Sequence, residues 1–343
     1  MDSGERRQML LARQYLTASA EGAGQVCSDL NGLQAQLFSY TRLSLAARLG
    51  GALPGRWEAG LCKTWTVRGT LHLVTAADLP VYLHRDRRRF LRPVDQFAGD
   101  ELASAERKAC FAQVILDSVD RGADSRESLR LACRSAGMTA EEERSLFDGW
   151  GGLLRAMAEA GQLCHRPTEE KRFFRCPPFV PLDRESALLE QARRYFTHFG
   201  PATIRDAAYF FALPQGQIRA LLEHLPVEAG VWQGQDCFWI DDGRRNFPAV
   251  PECLLLAGFD PLLLGFAKKE GLFVPPEFLR GVFSPAGMVL PCLLVEGQGA
   301  ARWKRRGGTV SVSPFRIFTP RQRRAAEEEI LRRLPETRHI LWQ

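Results

Sequence analysis

Lysine and closely spaced metal-binding residues are scarce in this 343-residue chain, and both absences restrict the classes of function that it can have. Lysine supplies only six of the 46 basic residues, and arginine supplies the other 40. No CxxC, HxxxH or HExxH spacing occurs among the cysteines and histidines, so the sequence predicts no zinc site. GxxxxGK[ST], GxSxG and a GxGxxG after a strand are also missing, which excludes most nucleotide-cofactor enzymes and α/β-hydrolases. We therefore expect neither a metal nor a cofactor.

Long apolar runs and a leader-like N-terminus are also missing. The longest apolar stretches, such as Leu254–Phe259 and Met288–Val295, are far shorter than the ~20 residues that span a bilayer. Residues 1–10 are polar at the start and contain no apolar core with a cleavage site. The nine cysteines are odd in number and widely scattered, which argues against a disulfide framework. These features predict a cytoplasmic protein with free thiols and no membrane attachment.

The net charge is unevenly distributed along the chain. The 46 Lys+Arg exceed the 40 Asp+Glu by six. Residues 301–324 hold eight basic and no acidic residues, so the rest of the chain, with 38 positive and 40 negative residues, has a net charge of −2. A second basic cluster at residues 85–92 can also be an ordinary solvated helix face. Arginine suits phosphate binding through its planar donor fork, although a GC-rich genome would produce the same excess.

Helical segments followed by a short hairpin recur along the first 250 residues. An apolar stripe of helical period spans residues 5–20. Cys62–Val74 is β-branched and aromatic, which predicts two strands around a turn, and further hairpins are predicted at Gln162–Arg175 and at residues 230–240. Helices followed by a hairpin are typical of a winged helix. We predict three tandem winged helices, at residues 1–95, 96–180 and 181–250.

The sequence pattern changes at Pro251. Strand-like runs separated by glycine-rich turns follow, and a last helix begins at Thr319, with proline at its first position and Gln322 at its third. Similar start signals at Thr139 and Thr203 predict helices in the second and third domains. We predict that residues 251–343 form a small β unit with a basic hairpin and a terminal helix. The fold class predicted for the chain is α+β.

Short motifs distributed over nearly the whole chain occur together in one known family. They are Ala12–Gln14, Leu33–Gln36, Thr64–Val74, Arg194–Thr203, Gly258–Gly265, Gly297–Trp303 and Ser313–Phe315. On these motifs the chain resembles the AlkZ-like winged-helix DNA glycosylases. The resemblance implies three tandem winged helices and a C-terminal β-barrel-like unit, which enclose a cleft for duplex DNA. It also implies hydrolysis of the N-glycosidic bond of alkylated purines, including crosslinked ones, to leave an abasic site.

The same resemblance implies that Gln34 and Gln36 are catalytic, and their spacing sets a physical condition. In a helix, residues i and i+2 point about 200° apart, whereas in an extended segment they share a face. The pair can therefore converge only if residues 32–37 are extended or looped. A carboxamide can accept a hydrogen bond from water and can hold a sugar or phosphate oxygen through its NH₂ group. The alternative is that both are ordinary polar surface residues.

Basic side chains are the expected DNA contacts. Arg68 lies at the predicted tip of the first wing and can contact phosphate; His72 can face the cleft or can instead be a hydrogen-bonded strand residue. Arg42 follows the glutamines on the next predicted helix. In the C-terminal hairpin we expect Trp303 to pack within the sheet and its charged neighbours to bind phosphate. These neighbours are Arg302, Lys304, Arg305 and Arg306.

Together these features favour a monofunctional DNA glycosylase, a monomer associated with the nucleoid, that acts on double-stranded DNA containing alkylated purines. Lysines are few, and only Lys63 lies near the glutamines in sequence, which disfavours a Schiff-base mechanism. One alternative is a non-catalytic winged-helix DNA-binding protein such as a transcriptional regulator, which would not need the glutamines. Another is a DNA-binding accessory factor that works through a protein partner.

Overall fold

The computed structural model describes residues 1–66, 69–84, 103–149, 151–268 and 271–343. The helices in these ranges are α1 (Ser3–Arg13), α2 (Ala23–Asp29), α3 (Phe38–Arg48), α4 (Leu79–Tyr82), α5 (Ala105–Asp120), α6 (Arg126–Ser135), α7 (Ala140–Leu146), α8 (Gly152–Glu159), α9 (Arg184–His198), α10 (Ile204–Phe211), α11 (Gln215–Leu222), α12 (Pro261–Leu264), α13 (Leu279–Val282) and α14 (Pro320–Arg333). The strands are β1 (Leu33–Gln34), β2 (Leu61–Trp65), β3 (Leu71–Thr75), β4 (Leu163–His165), β5 (Phe173–Arg175), β6 (Ala202–Thr203), β7 (Val227–Trp232), β8 (Gln235–Ile240), β9 (Cys253–Leu256), β10 (Cys292–Val295), β11 (Gln298–Arg306), β12 (Thr309–Pro314) and β13 (His339–Trp342).

The chain divides into two compact units. One contains residues 1–57 and 189–343, and the other contains residues 58–188. Each unit contains helices and strands, so the predicted mixture of α and β structure is confirmed. No helix within the described ranges is long and apolar enough to cross a lipid bilayer. The domain limits drawn from the sequence are finer than this division and stay predictions.

The unit formed by residues 58–188 is built on one antiparallel sheet with the order β3–β2–β4–β5. Lys63 on β2 pairs with His165 on β4, and this register joins the β2–β3 hairpin to the β4–β5 hairpin. Helices α5 to α8 supply most of a separate apolar core around Phe111, Ile115 and Met157. The two hairpins were predicted as wings of separate domains, and the structure makes them neighbours in one sheet.

Residues 184–240, of which 189–240 belong to the other unit, run in the order helix, strand, two helices and two strands. Strands β6, β8 and β7 form a three-stranded sheet that packs against α10. Thr203 caps α10 in a reciprocal capping box with Asp206, as the sequence predicted. The rings of Tyr195 and Phe199 stack with their centroids 5.1 Å apart, and Phe210 lies against both. This aromatic cluster joins α9 to α10.

The C-terminal strands form an open sheet, not the barrel-like unit that the resemblance implied. Its order is β13–β12–β11–β10–β9, so β13 and β9 are its two edges within the described residues. All pairs are antiparallel except β12 with β13. Helix α14 covers one face, where Ile330 and Leu334 pack near Trp303, Val310 and Val312. One helix on one face buries the apolar side chains, so closure of the sheet is not needed.

Two sequence predictions about helices have different outcomes. The capping boxes at Thr139 and Thr319 are confirmed, since each hydroxyl accepts the backbone N–H three residues later. The apolar stripe of residues 5–20 predicted too long a first helix, because α1 ends at Arg13. Tyr15 adopts a left-handed backbone conformation with φ +61°, and its hydroxyl donates to the Asp29 carboxylate. Burial of Tyr15 and Leu16 therefore comes from a turn and not from a continued helix.

Candidate functional site

The segment Asn31–Leu37, here called the glutamine loop, begins with a sharp reversal of the chain. Asn31 and Gly32 have φ angles of +55° and +82°, and the Gly32 N–H donates to the Cys27 carbonyl at 2.7 Å. Glycine suits this left-handed position at a helix end because it has no Cβ. The buried Asn31 side chain donates to the Gln191 carbonyl on α9 at 3.0 Å. These contacts end α2 and fix where the loop starts.

The two candidate catalytic side chains converge in this loop. Gln34 ends the short strand β1, Ala35 is buried, and the Gln34 Nε2 donates to the Gln36 Oε1 at 2.7 Å. The extended backbone places residues i and i+2 on one side, as the spacing required. Gln36 is exposed and Gln34 is half-buried. Among the described residues, no further protein partner is found for the Gln34 Oε1 or the Gln36 Nε2, so one acceptor and one NH₂ group remain available.

Helix α3 supports the loop from its C-terminal side. The Thr41 hydroxyl, which is 2% exposed, donates to the Gln34 backbone carbonyl at 2.8 Å. This bond ties the first turn of α3 to the residue that carries one of the two carboxamides. Arg42, the next residue, is exposed and has no ion pair within the described ranges. Its charge is available to an anion beside the loop.

A buried ion pair holds the other end of α3. Arg48 and Asp260 are 0% and 1% exposed at their side chains, and two nitrogen–oxygen contacts of 2.8 and 2.9 Å join them. The Ser44 hydroxyl donates to the same carboxylate at 2.8 Å. A Cβ added to Gly258 would lie 2.6 Å from the Tyr40 ring, so only glycine lets this segment pack so closely on α3. The Gly258–Gly265 motif therefore anchors the helix that follows the glutamine loop.

His72 lies on β3 of the other unit. His72 is 3% exposed, and its Nδ1 lies 2.9 Å from both the Thr66 hydroxyl and the Thr70 carbonyl. These contacts favour the alternative in which His72 is a hydrogen-bonded strand residue. Arg68 and the basic cluster at residues 85–92 lie outside the described residues.

Lys63 is the lysine that the sequence analysis considered for a Schiff-base mechanism. It is 2% exposed on β2, and its ammonium donates to the Thr168 carbonyl. Burial lowers the pKa of Lys63 to about 8, although Glu169 opposes this shift. His165 is its register partner, and burial lowers the pKa of that imidazole to about 3. A lysine with a lowered pKa can act as a nucleophile, so its role needs a direct test.

Three of the four predicted hairpin cations share one face of the C-terminal sheet. Arg302, Lys304 and Arg306 alternate along β11 and are exposed. Their register partners on β12 are Ser313, Ser311 and Thr309. None of the three cations has an ion pair among the residues that the structure describes. We call this surface the cationic face, and it also includes two residues of β13 described below.

The residues between these cations have structural roles. Trp303 is 4% exposed, and its indole N–H donates to the Leu256 carbonyl at 2.9 Å, which confirms that it packs within the sheet. Arg305 stands at the opposite alternation of β11, where its register partner is the buried Val310. It forms an ion pair with Glu336 and donates to the Gly307 carbonyl at 3.0 Å. Arg305 is therefore already engaged by the protein.

The sequence did not predict β13, which widens the cationic face. β13 pairs in parallel with β12, so that His339 is opposite Thr309 and Leu341 is opposite Ser311. This register places both side chains, which are exposed, on the face of Lys304 and Arg306. The exposed Arg338, just before β13, donates its backbone N–H to the Gly308 carbonyl at 2.7 Å. Leu341 is apolar although it is exposed, so the sequence of β13 does not show the alternation of polar and apolar residues that would have predicted a strand.

Comparison with known proteins gives three results. A family model described as DNA glycosylase AlkZ-like matches residues 27–334. A relative from Streptomyces sahachiroi, named Interstrand DNA cross-link repair glycosylase, is 26% identical over 337 residues, which cover 89% of this chain and 88% of that protein. The solved structure of Streptomyces sahachiroi DNA glycosylase AlkZ superposes with a TM-score of 0.78 at 23% identity, over 100% of both chains. The family match includes the glutamine loop and all of β11.

Proposed function

The chain belongs to the AlkZ-like DNA glycosylase family, and from this premise we propose that it is a monofunctional glycosylase that hydrolyses the N-glycosidic bond of alkylated purines in duplex DNA. As a member of that family it is an enzyme that cleaves N-glycosidic bonds. The proposal adds the lesion class, the hydrolytic mechanism and the residues. The observation that carries it is the 2.7 Å hydrogen bond between the two carboxamides of the glutamine loop.

That hydrogen bond gives each glutamine a different role. It uses one N–H of Gln34 and the carbonyl of Gln36, so the Gln34 Oε1 can accept from a water molecule. The Gln36 NH₂ can donate to an oxygen of the sugar or phosphate. Two linked carboxamides hold each other in one orientation, which positions the water before reaction. A carboxamide is not a base, so neither group takes the proton of the water.

The lesion supplies what the glutamines lack. Alkylation of a purine ring nitrogen gives the base a positive charge, and a cationic base leaves without strong protonation. Departure of the base creates an oxocarbenium-like sugar, which the carbonyl dipole of Gln34 stabilises. The positioned water then adds to the anomeric carbon, and its proton passes to solvent. The products are the free base and an abasic site.

Binding of the duplex falls to the cationic face and to Arg42 beside the glutamine loop. Arg302, Lys304 and Arg306 are exposed and unpaired within the described chain, and neutralisation of phosphates releases counterions and supplies most of the affinity. We place phosphates along β11 and at the turn that follows it. Residues 184–240 would act as a winged helix, and the fold would provide a cleft for duplex DNA.

The test uses a duplex that carries one N7-methylguanine. Wild-type protein is expected to release the base and leave an alkali-labile site, and Gln34→Ala and Gln36→Ala are expected to retain DNA affinity but lose release. Gln113→Ala is the matched control, because Gln113 is an exposed glutamine bonded to the neighbouring side chain of Asp117. Unchanged base release in both loop variants would refute the assigned roles.

Two further arms separate this proposal from its competitors. Borohydride treatment during the reaction traps a Schiff base, so a covalent protein–DNA adduct that disappears in Lys63→Ala would show a lyase and not a monofunctional enzyme. DNA affinity with no release from any alkylated purine would favour the non-catalytic binding protein. A duplex crosslinked through two purines tests whether the substrate named for the Streptomyces sahachiroi relative is also a substrate here.

A further inference from the structure

Three buried cysteines meet in the sheet of residues 58–188, and none of them has a role in the function proposed above. Cys62 lies on β2, Cys164 lies on β4, and Cys176 directly follows β5; they are 1%, 0% and 7% exposed. The Sγ atoms of Cys164 and Cys176 are 3.1 Å apart. Cys62 also hydrogen-bonds to Cys164. In sequence these residues show no paired spacing, so the cluster exists only through the joined hairpins.

The two closest thiols are chemically different. Cys164 donates its S–H to Cys176, and this bond, with that to Cys62 and burial, raises the pKa of Cys164. The same donated bond lowers the pKa of Cys176. The thiolate is the nucleophilic form of cysteine, so Cys176 is the more reactive of the pair. Cys176 is also the more exposed residue of the pair, at 7% against 0% for Cys164.

We propose that Cys164 and Cys176 are an oxidisable dithiol that peroxide converts to an intramolecular disulfide. The Cys176 thiolate attacks one peroxide oxygen, the O–O bond breaks, and the leaving hydroxide takes a proton to become water. This step leaves Cys176 as a sulfenic acid. Cys164 then attacks that sulfur, the S–O bond breaks, and a second water leaves with the thiol proton. Two thiols lose two electrons in total, and one peroxide gains them.

The hairpin brings the reacting atoms together before oxidation. The Cys176 N–H donates to the Gln162 carbonyl at 3.0 Å, and β4 pairs with β5 so that Leu163 is opposite Arg175 and Cys164 is opposite Phe174. A disulfide between residues 164 and 176 would close a short loop in the unfolded chain and lower its entropy. We therefore expect the oxidised protein to melt at a higher temperature than the reduced protein, and dithiothreitol to reverse the change.

The experiment treats the full-length protein with hydrogen peroxide, blocks the remaining thiols by alkylation, and maps tryptic peptides by mass spectrometry. Trypsin places the three cysteines on separate peptides, so the linked pair can be identified. We expect the free thiol count to fall from nine to seven, with the Cys164 peptide joined to the Cys176 peptide. A link from Cys62 to either residue, or overoxidation of Cys176 without any link, would overturn the assignment.

Two controls keep the result specific. Cys110→Ser removes the exposed cysteine and is expected to leave the link unchanged. Cys176→Ser is expected to abolish the link and the peroxide-dependent rise in melting temperature. If Cys176→Ser folds poorly, peptide mapping of the wild-type protein still decides the pairing. Earlier oxidation of Cys110 than of the pair in wild-type protein would contradict an activated Cys176.

Discussion

In the glutamine loop buried partners hold the backbone that carries two neutral side chains, whereas on the cationic face charged side chains extend into solvent. Asn31 and Thr41 supply buried hydrogen bonds around the loop, and the Arg48–Asp260 pair holds the helix behind it. The cations of β11 share one face only because side chains alternate along a strand. The loop contributes through the position of its atoms and the face through the number of its charges. Changes to the first should alter a rate constant, and changes to the second should alter salt-dependent affinity.

The largest effect on the support of the glutamine loop is expected from a change at Asp260. Asp260→Asn leaves the Arg48 guanidinium buried beside a neutral group, and loss of one partner from a buried pair costs about 3–5 kcal/mol. We expect a fall of that size in the free energy of unfolding, measured by urea denaturation. Glu252→Gln is the matched control, because its partner Arg321 is 81% exposed, and exposed pairs contribute about 0–1 kcal/mol. Equal effects in the two variants would contradict this account.

Removal of either carboxamide tests the loop itself. For Gln34→Ala or Gln36→Ala we expect the single-turnover rate constant for base release to fall about 10²–10³-fold, as for loss of one group that stabilises developing charge. The dissociation constant for DNA should change little, since neither residue is charged. Rapid-quench kinetics and fluorescence anisotropy measure the two quantities separately. A loss of affinity with an unchanged rate constant would assign the glutamines to binding.

A smaller effect is expected at the support beneath Gln34. Thr41→Val removes the hydroxyl that donates to the Gln34 carbonyl and leaves that acceptor without its bond. Loss of about 1–1.5 kcal/mol from a typical hydrogen bond corresponds to roughly tenfold in rate. Thr41→Ser, which keeps the donor, should recover most of the rate constant. If Thr41→Ser is as slow as Thr41→Val, packing of the methyl group and not the hydrogen bond positions the loop.

On the cationic face the expected readout is salt dependence. Each of Arg302→Ala, Lys304→Ala and Arg306→Ala should reduce the slope of log affinity against log salt by about 0.9, which corresponds to one phosphate contact. Arg305→Ala is the internal control on the same strand, because Arg305 is paired with Glu336. Its slope should change least. A larger change for Arg305 than for its neighbours would show that the ion pair opens when DNA binds.

The smallest effect is expected at Arg338, beside β13, the third strand of the cationic face. Arg338 and His339 flank the hairpin turn but are not on β11, so Arg338→Ala should lower affinity at low salt by less than any cation of β11. Filter binding across a salt series measures this difference. A reduction equal to that for Arg306→Ala would show that the residue before β13 contacts DNA as closely as β11 does.

Local signals in the sequence were sufficient for several elements. Thr139, Thr203 and Thr319 start helices because a capping hydroxyl acts within three residues of itself. The condition for convergence of Gln34 and Gln36 followed from backbone geometry alone. Trp303 was correctly expected to pack within its sheet. Each of these predictions depends on residues that are adjacent along the chain.

The features that the sequence did not reveal depend on distant residues. The β2–β3 and β4–β5 hairpins join through one register between Lys63 and His165, about a hundred positions apart. Arg305 is paired by Glu336, which lies beyond an entire helix. β13 needs α14 to return the chain before it can pair in parallel with β12. No pattern within a short stretch of sequence reveals these contacts. The prediction that Arg305 binds DNA therefore depended on its charge, and the pairing with Glu336 could not be foreseen.

The placement of β12 between two strands has a mechanical consequence. Its backbone is hydrogen-bonded to β11 on one side and to β13 on the other, and the turn is tied where Arg338 donates to the Gly308 carbonyl. To bend the tip of the hairpin out of the sheet, the β12–β13 ladder and the bond from Arg338 to Gly308 would have to break together. If the duplex binds this hairpin as proposed above, it would therefore deform before the protein does, at a cost of order 1–6 kcal/mol for a smooth bend. Under that proposal, a duplex already weakened by a lesion would bend against the hairpin at a lower cost than an intact duplex.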